Sequence, residues 1–275
     1  MSAPPGGLAA RAALWSLAAL TLVPLYFVVA TALRPGNDYA ADPGGLPGAL
    51  TLTNFDRLLD GSDFLRWMLN SLLLTGASTL LAVGVAVLAA HALTYFGLPG
   101  AGVALRLIAS LMVIPPILLV VPLFVQLARL ELIDTYLGAI LIYAGLALPF
   151  AIYMLARFFA GLPPSVLAAA RMDGAGPLRI LAAVIVPLAR PAIATLALVT
   201  AFFVWNDLLI ALIFLQSDDH RPLMAGLTTL AGRETQNVPI VISGVLLAMV
   251  PIAVLFALTQ RAAMRGFYSG GARGG

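Results

Sequence analysis

Six mostly apolar runs of about 20 residues or more divide this chain, at 12–33, 70–93, 103–127, 136–159, 181–215 and 239–261. A helix needs roughly 20 such residues to cross the hydrocarbon core of a bilayer, and there every backbone polar group must be satisfied within the protein. The pattern predicts an all-α, polytopic membrane protein with six transmembrane helices, a single domain over residues 1–275. With 61% hydrophobic and only 10% charged residues, little sequence is left to build a separate soluble domain. The first run follows Arg11 and continues to Leu33, longer than the roughly 7–15-residue apolar core of a signal peptide. No small-residue cleavage site precedes Arg34, so this run reads as an uncleaved first helix.

An even number of spans places both termini on one side, and the arginines say which. The N-terminus, the second–third and fourth–fifth connections and the tail carry Arg11, Arg106, Arg157, Arg171, Arg179, Arg190, Arg261, Arg265 and Arg273 against a single acid, Asp173. The opposite connections carry six arginines against ten acids. Basic residues stay on the cytoplasmic side of short loops, so both termini and the 162–180 connection are expected in the cytoplasm. The formal net charge of +3 follows from this asymmetry and gives no reason to expect a nucleic-acid partner.

Several chemistries are excluded by what the chain lacks. It has no cysteine, and all fifteen basic residues are arginine. A phosphate-binding P-loop needs its Gly-Lys-Ser/Thr, so an ATP-driven process must take its motor from another subunit. No His-Glu-x-x-His or Gly-x-Ser-Gly sequence occurs, and no metal or catalytic constellation is expected.

The connections are uneven. The long one, 34–69, is rich in Gly and Pro at 43–48 and reads either as a solvated external lid or as a segment in direct contact with substrate, with a short polar-capped helix at 53–59. A second external connection, 216–238, mixes Asp218-Asp219-His220-Arg221 with threonines and either faces an external protein or is simply hydrated. Within the second run, Ser78, Ala82, Ala86 and Ala90 recur every four residues, a spacing that either lines one helix face for close packing or reflects an alanine-rich composition. His91, at that run's end, reads as a boundary residue. In the third run Pro115, Pro116 and Pro122 each remove a backbone donor, which predicts a broken helix beside a pathway. Trp205-Asn206-Asp207 interrupts the fifth run. An intramembrane carboxylate points to a substrate pathway, while a Trp near the outer end also suits interfacial anchoring.

The 162–180 connection has its own architecture. Pro164 or Ser165 can start a short helix, residues 166–172 can continue it, and Asp173-Gly174 can end it in a tight turn with Gly174 at positive φ. Pro177 sits where a second short helix can begin. The face is small and alanine-rich, better fitted to a protein groove than to lipid.

This run, Leu162 to Ala175, resembles the cytoplasmic "EAA" loop of permease subunits of ABC importers. Trp205-Asn206-Asp207 is similar to the "WN" segment of the carbohydrate-uptake branch, and the ending through Gly270-Gly271-Ala272-Arg273-Gly274 to its "GxxxGAxKG" tail, with Arg273 for Lys. The resemblance implies a type I importer permease like the smaller subunit of the maltose-type system, in a bacterial inner membrane. It implies a coupling helix between spans 4 and 5 that docks into an ATPase through Ala168, Ala169, Ala170, Arg171, Asp173, Gly174 and Ala175, with Gly271, Arg273 and Gly274 as tail contacts. Its expected partners are a second homologous permease, an ATPase dimer carrying ATP and Mg, an extracytoplasmic solute-binding protein and membrane lipid. The motif's defining Glu falls on Ala168, so the family's ion pair there cannot form, and Arg171 is left to carry a replacement pair. The alternatives are a permease of the same kind for a non-sugar solute, or an ion-coupled secondary transporter with Asp207 as its one candidate group.

Overall fold

The computed structural model describes the backbone of residues 7–235 and 237–271 and the side chains of residues 10–235 and 237–259. Regular structure among them is entirely helical. The chain divides into two compact units, one made of the described residues up to Leu65 with Gly226–Val250, the other of Arg66–Ala225 with the described residues from Pro251 onward.

In the first unit, α1 (Gly7–Ala32) is apolar on all sides, with Leu14, Trp15 and Leu20 at least 67% exposed. In a soluble protein such a surface would aggregate; here it is what lipid or a partner helix covers. Its last carbonyls are capped from elsewhere in the unit. Asn54 Nδ2 donates to the carbonyls of Ala32 (2.9 Å) and Arg34 (2.7 Å), and Ser243 Oγ donates to that of Ala32 (3.2 Å). The short helices α2 (Gly36–Ala41) and α3 (Thr53–Gly61) follow. The N-cap of α3 is Leu52, which supplies no side-chain bond, so the expected polar cap is replaced by Thr51, one residue earlier, whose Oγ1 accepts the Thr53 N–H at 3.1 Å.

The segment 34–69 is largely exposed at 41–50, as expected of a solvated lid, but it is ordered by Arg34. Its side chain is buried, and its guanidinium reaches Asp38 Oδ2 (2.9 Å), the Asp38 carbonyl (3.1 Å) and the Gly45 carbonyl (2.9 Å). The Arg34 hydrogen bond, helped by the Gly48 N–H, holds the Asp38 carboxyl below its usual range. The Gly- and Pro-rich stretch is therefore folded around an ion pair.

In the second unit, α4 (Phe64–Tyr95, from Arg66 on) presents Ser78, Ala82, Ala86 and Ala90 fully buried. The four-residue spacing is a packing seam: lipid is as apolar as leucine, so helices associate in it through close contact of small residues. Next come α5 (Ala101–Leu111) and α6 (Pro116–Arg129), bent by 97° at the break between them. Pro116 occupies the first helical position, where its missing N–H costs nothing, and Pro115 before it is held extended at φ −62°, ψ 135°. Pro122 lies inside α6 without ending it. Five helices among the described residues are long and apolar enough to cross a membrane, or six with this bent pair as one span.

Helix α7 (Tyr136–Ala160) is followed by α8 (Pro164–Met172), α9 (Pro177–Ile180), a π-helical turn (Leu181–Ile185) and α10 (Val186–Trp205). The expected fifth segment, 181–215, is thus not one helix. It begins in the π turn, which leads into Pro187, a residue with no N–H for the helical ladder. It then stops at Trp205 and resumes as α11 (Leu209–Phe214). The last helices are α12 (Leu223–Arg233) and α13 (Val238–Gly271). The unit's core has two parts. One joins Ala86 and Ala90 to Leu155, Phe159, Ile180 and Leu196; the other joins Leu74 and Val120 to Tyr143, Val204 and Phe214.

The connection 216–238 is neither loose nor merely hydrated over its first half. Asn70 Nδ2 donates to the carbonyls of Asp219 (2.8 Å) and Arg221 (2.9 Å), and the Leu223 N–H donates to Ser71 Oγ at 2.8 Å. Arg66 pairs with Asp219 at 2.5 Å, and Arg221 with Asp218. Asp134, at φ 57°, sits in a conformation costing about 1–2 kcal/mol for an L-residue. Its N–H donates to the Phe214 carbonyl (2.9 Å) and its Oδ1 accepts the Ser217 N–H (3.1 Å). Burial pushes its carboxyl up, but the Ser217 bonds and nearby His220 outweigh that and leave it below its usual value.

Candidate functional site

The 162–180 connection forms the expected helical hairpin. Pro163, extended at ψ 124°, directs Pro164 into the first turn of α8. At the other end the Gly174 N–H donates to the Arg171 carbonyl (3.0 Å) and the Ala175 N–H to the Ala170 carbonyl (3.1 Å). That is a Schellman ending, with Gly174 in the left-handed position at φ +74°. A Cβ on Gly174 would meet open space, so the constraint there is backbone conformation alone. The chain then enters α9 at Pro177.

The residues named for docking do not share one face. Ala170 and Ala175, with Leu162 and Leu167, pack against the core formed by α4, α7 and α10. Ala168, Ala169, Asp173 and Gly174 are exposed, and so are two residues the sequence did not single out, Met172 (89%) and Leu178 (71%). An 89% exposed methionine beside small alanines on a hairpin between membrane helices is an adaptable contact surface. Arg171 is exposed as well, but turns to α4. Its Nε donates to Tyr95 Oη at 3.2 Å, and its guanidinium carbon lies 4.5 Å from the Tyr95 ring centre. His91, expected as a boundary residue, is buried and stacks on Tyr95 with ring centres 4.7 Å apart.

The Trp205-Asn206-Asp207 triplet is split by the end of α10. Trp205 is 4% exposed and borders an apolar cleft of about 600 Å³ among α4, α10 and α13. Asn206 is exposed and turns its Nδ2 back to the Phe202 carbonyl at 2.9 Å. Asp207 Oδ2 accepts from Tyr143 Oη (2.9 Å), Ile210 N–H (2.9 Å) and Ala211 N–H (3.2 Å). Its carboxylate caps α11 and ties it to α7, a structural use that the apolar sequence around it did not announce. Gly271 ends α13; Arg273 and Gly274 lie outside the described residues.

A polar cleft of about 730 Å³ in the first unit, lined by Arg57, Arg233, Glu234 and Asn237 among others, also went unnoticed in the sequence. Its parts come from opposite ends of the chain.

Comparison with known proteins agrees with this architecture. The alpha-glucoside transport system permease protein AglG of Rhizobium meliloti is 35% identical over 83% of this chain and 62% of its own length. The trehalose transport system permease protein SugB of Mycobacterium tuberculosis is 31% identical over 97% of this chain and 99% of its own. Among solved structures, a chain of a bacterial ABC transporter involved in the import of the acidic polysaccharide alginate superimposes with a TM-score of 0.80 at 24% identity, over 95% of this chain and 98% of that one. Residues 82–265, which include the hairpin and the triplet, match the model of the binding-protein-dependent transport system inner membrane component. The chain belongs to that family of inner-membrane transport permeases.

Proposed function

We propose that this chain forms half of the translocation pathway of an ATP-driven importer for a sugar or sugar-like solute delivered by a binding protein. Relatives named for alpha-glucosides and trehalose support the solute class. The observation that carries the mechanism is the α8–α9 hairpin, which exposes Ala168, Ala169, Met172 and Leu178 while anchoring Ala170 and Ala175 in the core. The exposed face docks into a separate ATPase subunit. ATP and Mg bind there, since this chain has no lysine for a P-loop. Closure of two ATPases pushes the hairpin and switches two packed arrangements of the helices, one open inward and one outward. A second homologous permease completes the pathway.

Both termini and the hairpin face the cytoplasm, following the arginine asymmetry. The binding protein then meets the opposite side, where the polar cleft at Arg57 and Arg233 and the folded 34–69 segment lie. Asp207, the one candidate for ion coupling, has its Oδ2 occupied by Tyr143 and two backbone N–H groups, which weighs against a secondary transporter. The test is reconstitution with the partner permease, ATPase and binding protein. Uptake of a labelled alpha-glucoside or trehalose should require both ATP and the binding protein, and uptake driven by an ion gradient alone would overturn the assignment.

A further inference from the structure

We propose that Arg171, Tyr95 and His91 form a strut that carries movement of the α8–α9 hairpin into α4, so that Arg171 is a positioning residue within this chain and not a substitute for the family's glutamate at the ATPase. The proposal rests on the reading of the hairpin as the ATPase-docking element.

Its geometry is a continuous stack. Arg171 lies in the last turn of α8, where a cation is favoured by the helix dipole. Its guanidinium covers the ring of Tyr95, the last residue of α4, and donates to that residue's hydroxyl. One turn back along α4, the His91 ring lies under Tyr95, and Phe96 meets both rings edge-on. His91 is 3% exposed and adjoins Ala90, which is fully buried in the core with Leu155, Phe159 and Ile180. Ile180, at the end of α9, belongs to the same buried cluster as Ala90, so both arms of the hairpin meet this end of α4.

The rest of α8 touches the core through Leu167 and Ala170, whose apolar contacts are small and without direction. Among the described residues, the bond from Arg171 is the side-chain hydrogen bond that leaves α8 for another helix. A push on the exposed face can slide such apolar contacts; an oriented cation–ring pair resists sliding and passes the displacement on. The α4 end it reaches begins the small-residue seam from His91 back to Ser78, along which a shift propagates as a rigid helix.

The experiment uses the full importer in proteoliposomes, reading solute transported per ATP hydrolysed together with ATPase retained by the membrane. Arg171→Gln and Tyr95→Leu should lower the transport-to-hydrolysis ratio by about two- to fivefold, the scale of losing one exposed cation–ring pair, with the ATPase still retained. Arg171→Lys and Tyr95→Phe, which keep a cation over a ring, should retain most of the ratio. Because the chain has no cysteine, the double variant Tyr95→Cys/Arg171→Cys can be joined by a short bifunctional thiol reagent. Joining should restore the ratio, which a variant that simply misfolds would not show. Loss of the ATPase on Arg171→Gln would mean that Arg171 docks externally and would overturn the strut while leaving the hairpin assignment intact. An unchanged ratio in Arg171→Gln, or no recovery on joining, would also overturn it. Failure of the unmodified chain to retain an ATPase would instead remove the reading of the hairpin itself.

Discussion

Gly174 shows how one residue can be required by conformation without being crowded. At φ +74° with open space where a Cβ would stand, the penalty for a side chain is the left-handed backbone, about 1–2 kcal/mol for an ordinary L-residue and worse for a β-branched one. Gly174→Asn should retain the ATPase and transport, because Asn tolerates this region. Gly174→Val should uncouple or release the ATPase while the permease still inserts. The exposed Ala168 leaves room for a longer side chain, so Ala168→Glu should transport normally; pull-down of the ATPase with each variant checks all three. At the triplet, adjacent residues should part company. Asp207→Ala strands the Tyr143 hydroxyl and two backbone N–H groups, at about 1–3 kcal/mol for a buried unsatisfied group, and should lower the melting temperature of the purified permease. Asn206→Ala removes an exposed side chain and should reduce uptake at unchanged stability. Equal uptake by Asn206→Ala and the parent would take Asn206 out of the pathway.

At the scale of elements, the turn at 34–48 is held by the Arg34–Asp38 clasp. Its Asp38 carboxyl is held below its ordinary value of 3.8 by the Arg34 hydrogen bond. A carboxyl depressed in the folded state stabilises in full above the unfolded value and loses that contribution as pH falls through the lower folded one. The loop should therefore stay protected from proteolysis from neutral pH down to about pH 4 and open only below it. Asp38→Asn should open it at neutral pH as well. Equal protection of the variant at pH 7 would show that the Arg34 contacts to the Asp38 and Gly45 carbonyls suffice. The bent pair α5–α6 follows the same logic of local chemistry: two consecutive prolines end one helix and start the next at an angle of 97°.

For the whole molecule, the absence of cysteine makes orientation directly measurable. Leu46, 76% exposed in the 34–69 segment, and Met172, 89% exposed on the hairpin, are suitable single sites. In intact spheroplasts a membrane-impermeant thiol reagent should label Leu46→Cys at once and Met172→Cys only after permeabilisation. The reverse pattern would invert the molecule and remove the ATPase from the hairpin's side. The extensive exposed apolar surface, with α1 exposed over most of its described length, fits a chain that works inside a bilayer and a larger assembly.

What the amino-acid order determined by itself was whatever depends on neighbours along the chain. Apolar runs set the spans, arginines set their expected sidedness, prolines set the break at Met112–Pro115, and Pro164, Gly174 and Pro177 set the hairpin, because each acts through backbone rules within a turn or two. The alanine spacing in α4 suggested a seam but left composition as a rival until full burial at Ala82, Ala86 and Ala90 decided it. Tertiary structure alone decided that Arg171 turns to Tyr95, that Asp207 is held by Tyr143, and that Arg34 is buried in a Gly- and Pro-rich loop. Arg171 and Tyr95 are 76 residues apart, and Asp207 and Tyr143 are 64. No local pattern encodes pairs at such separations; they exist only once the helices carrying them have packed.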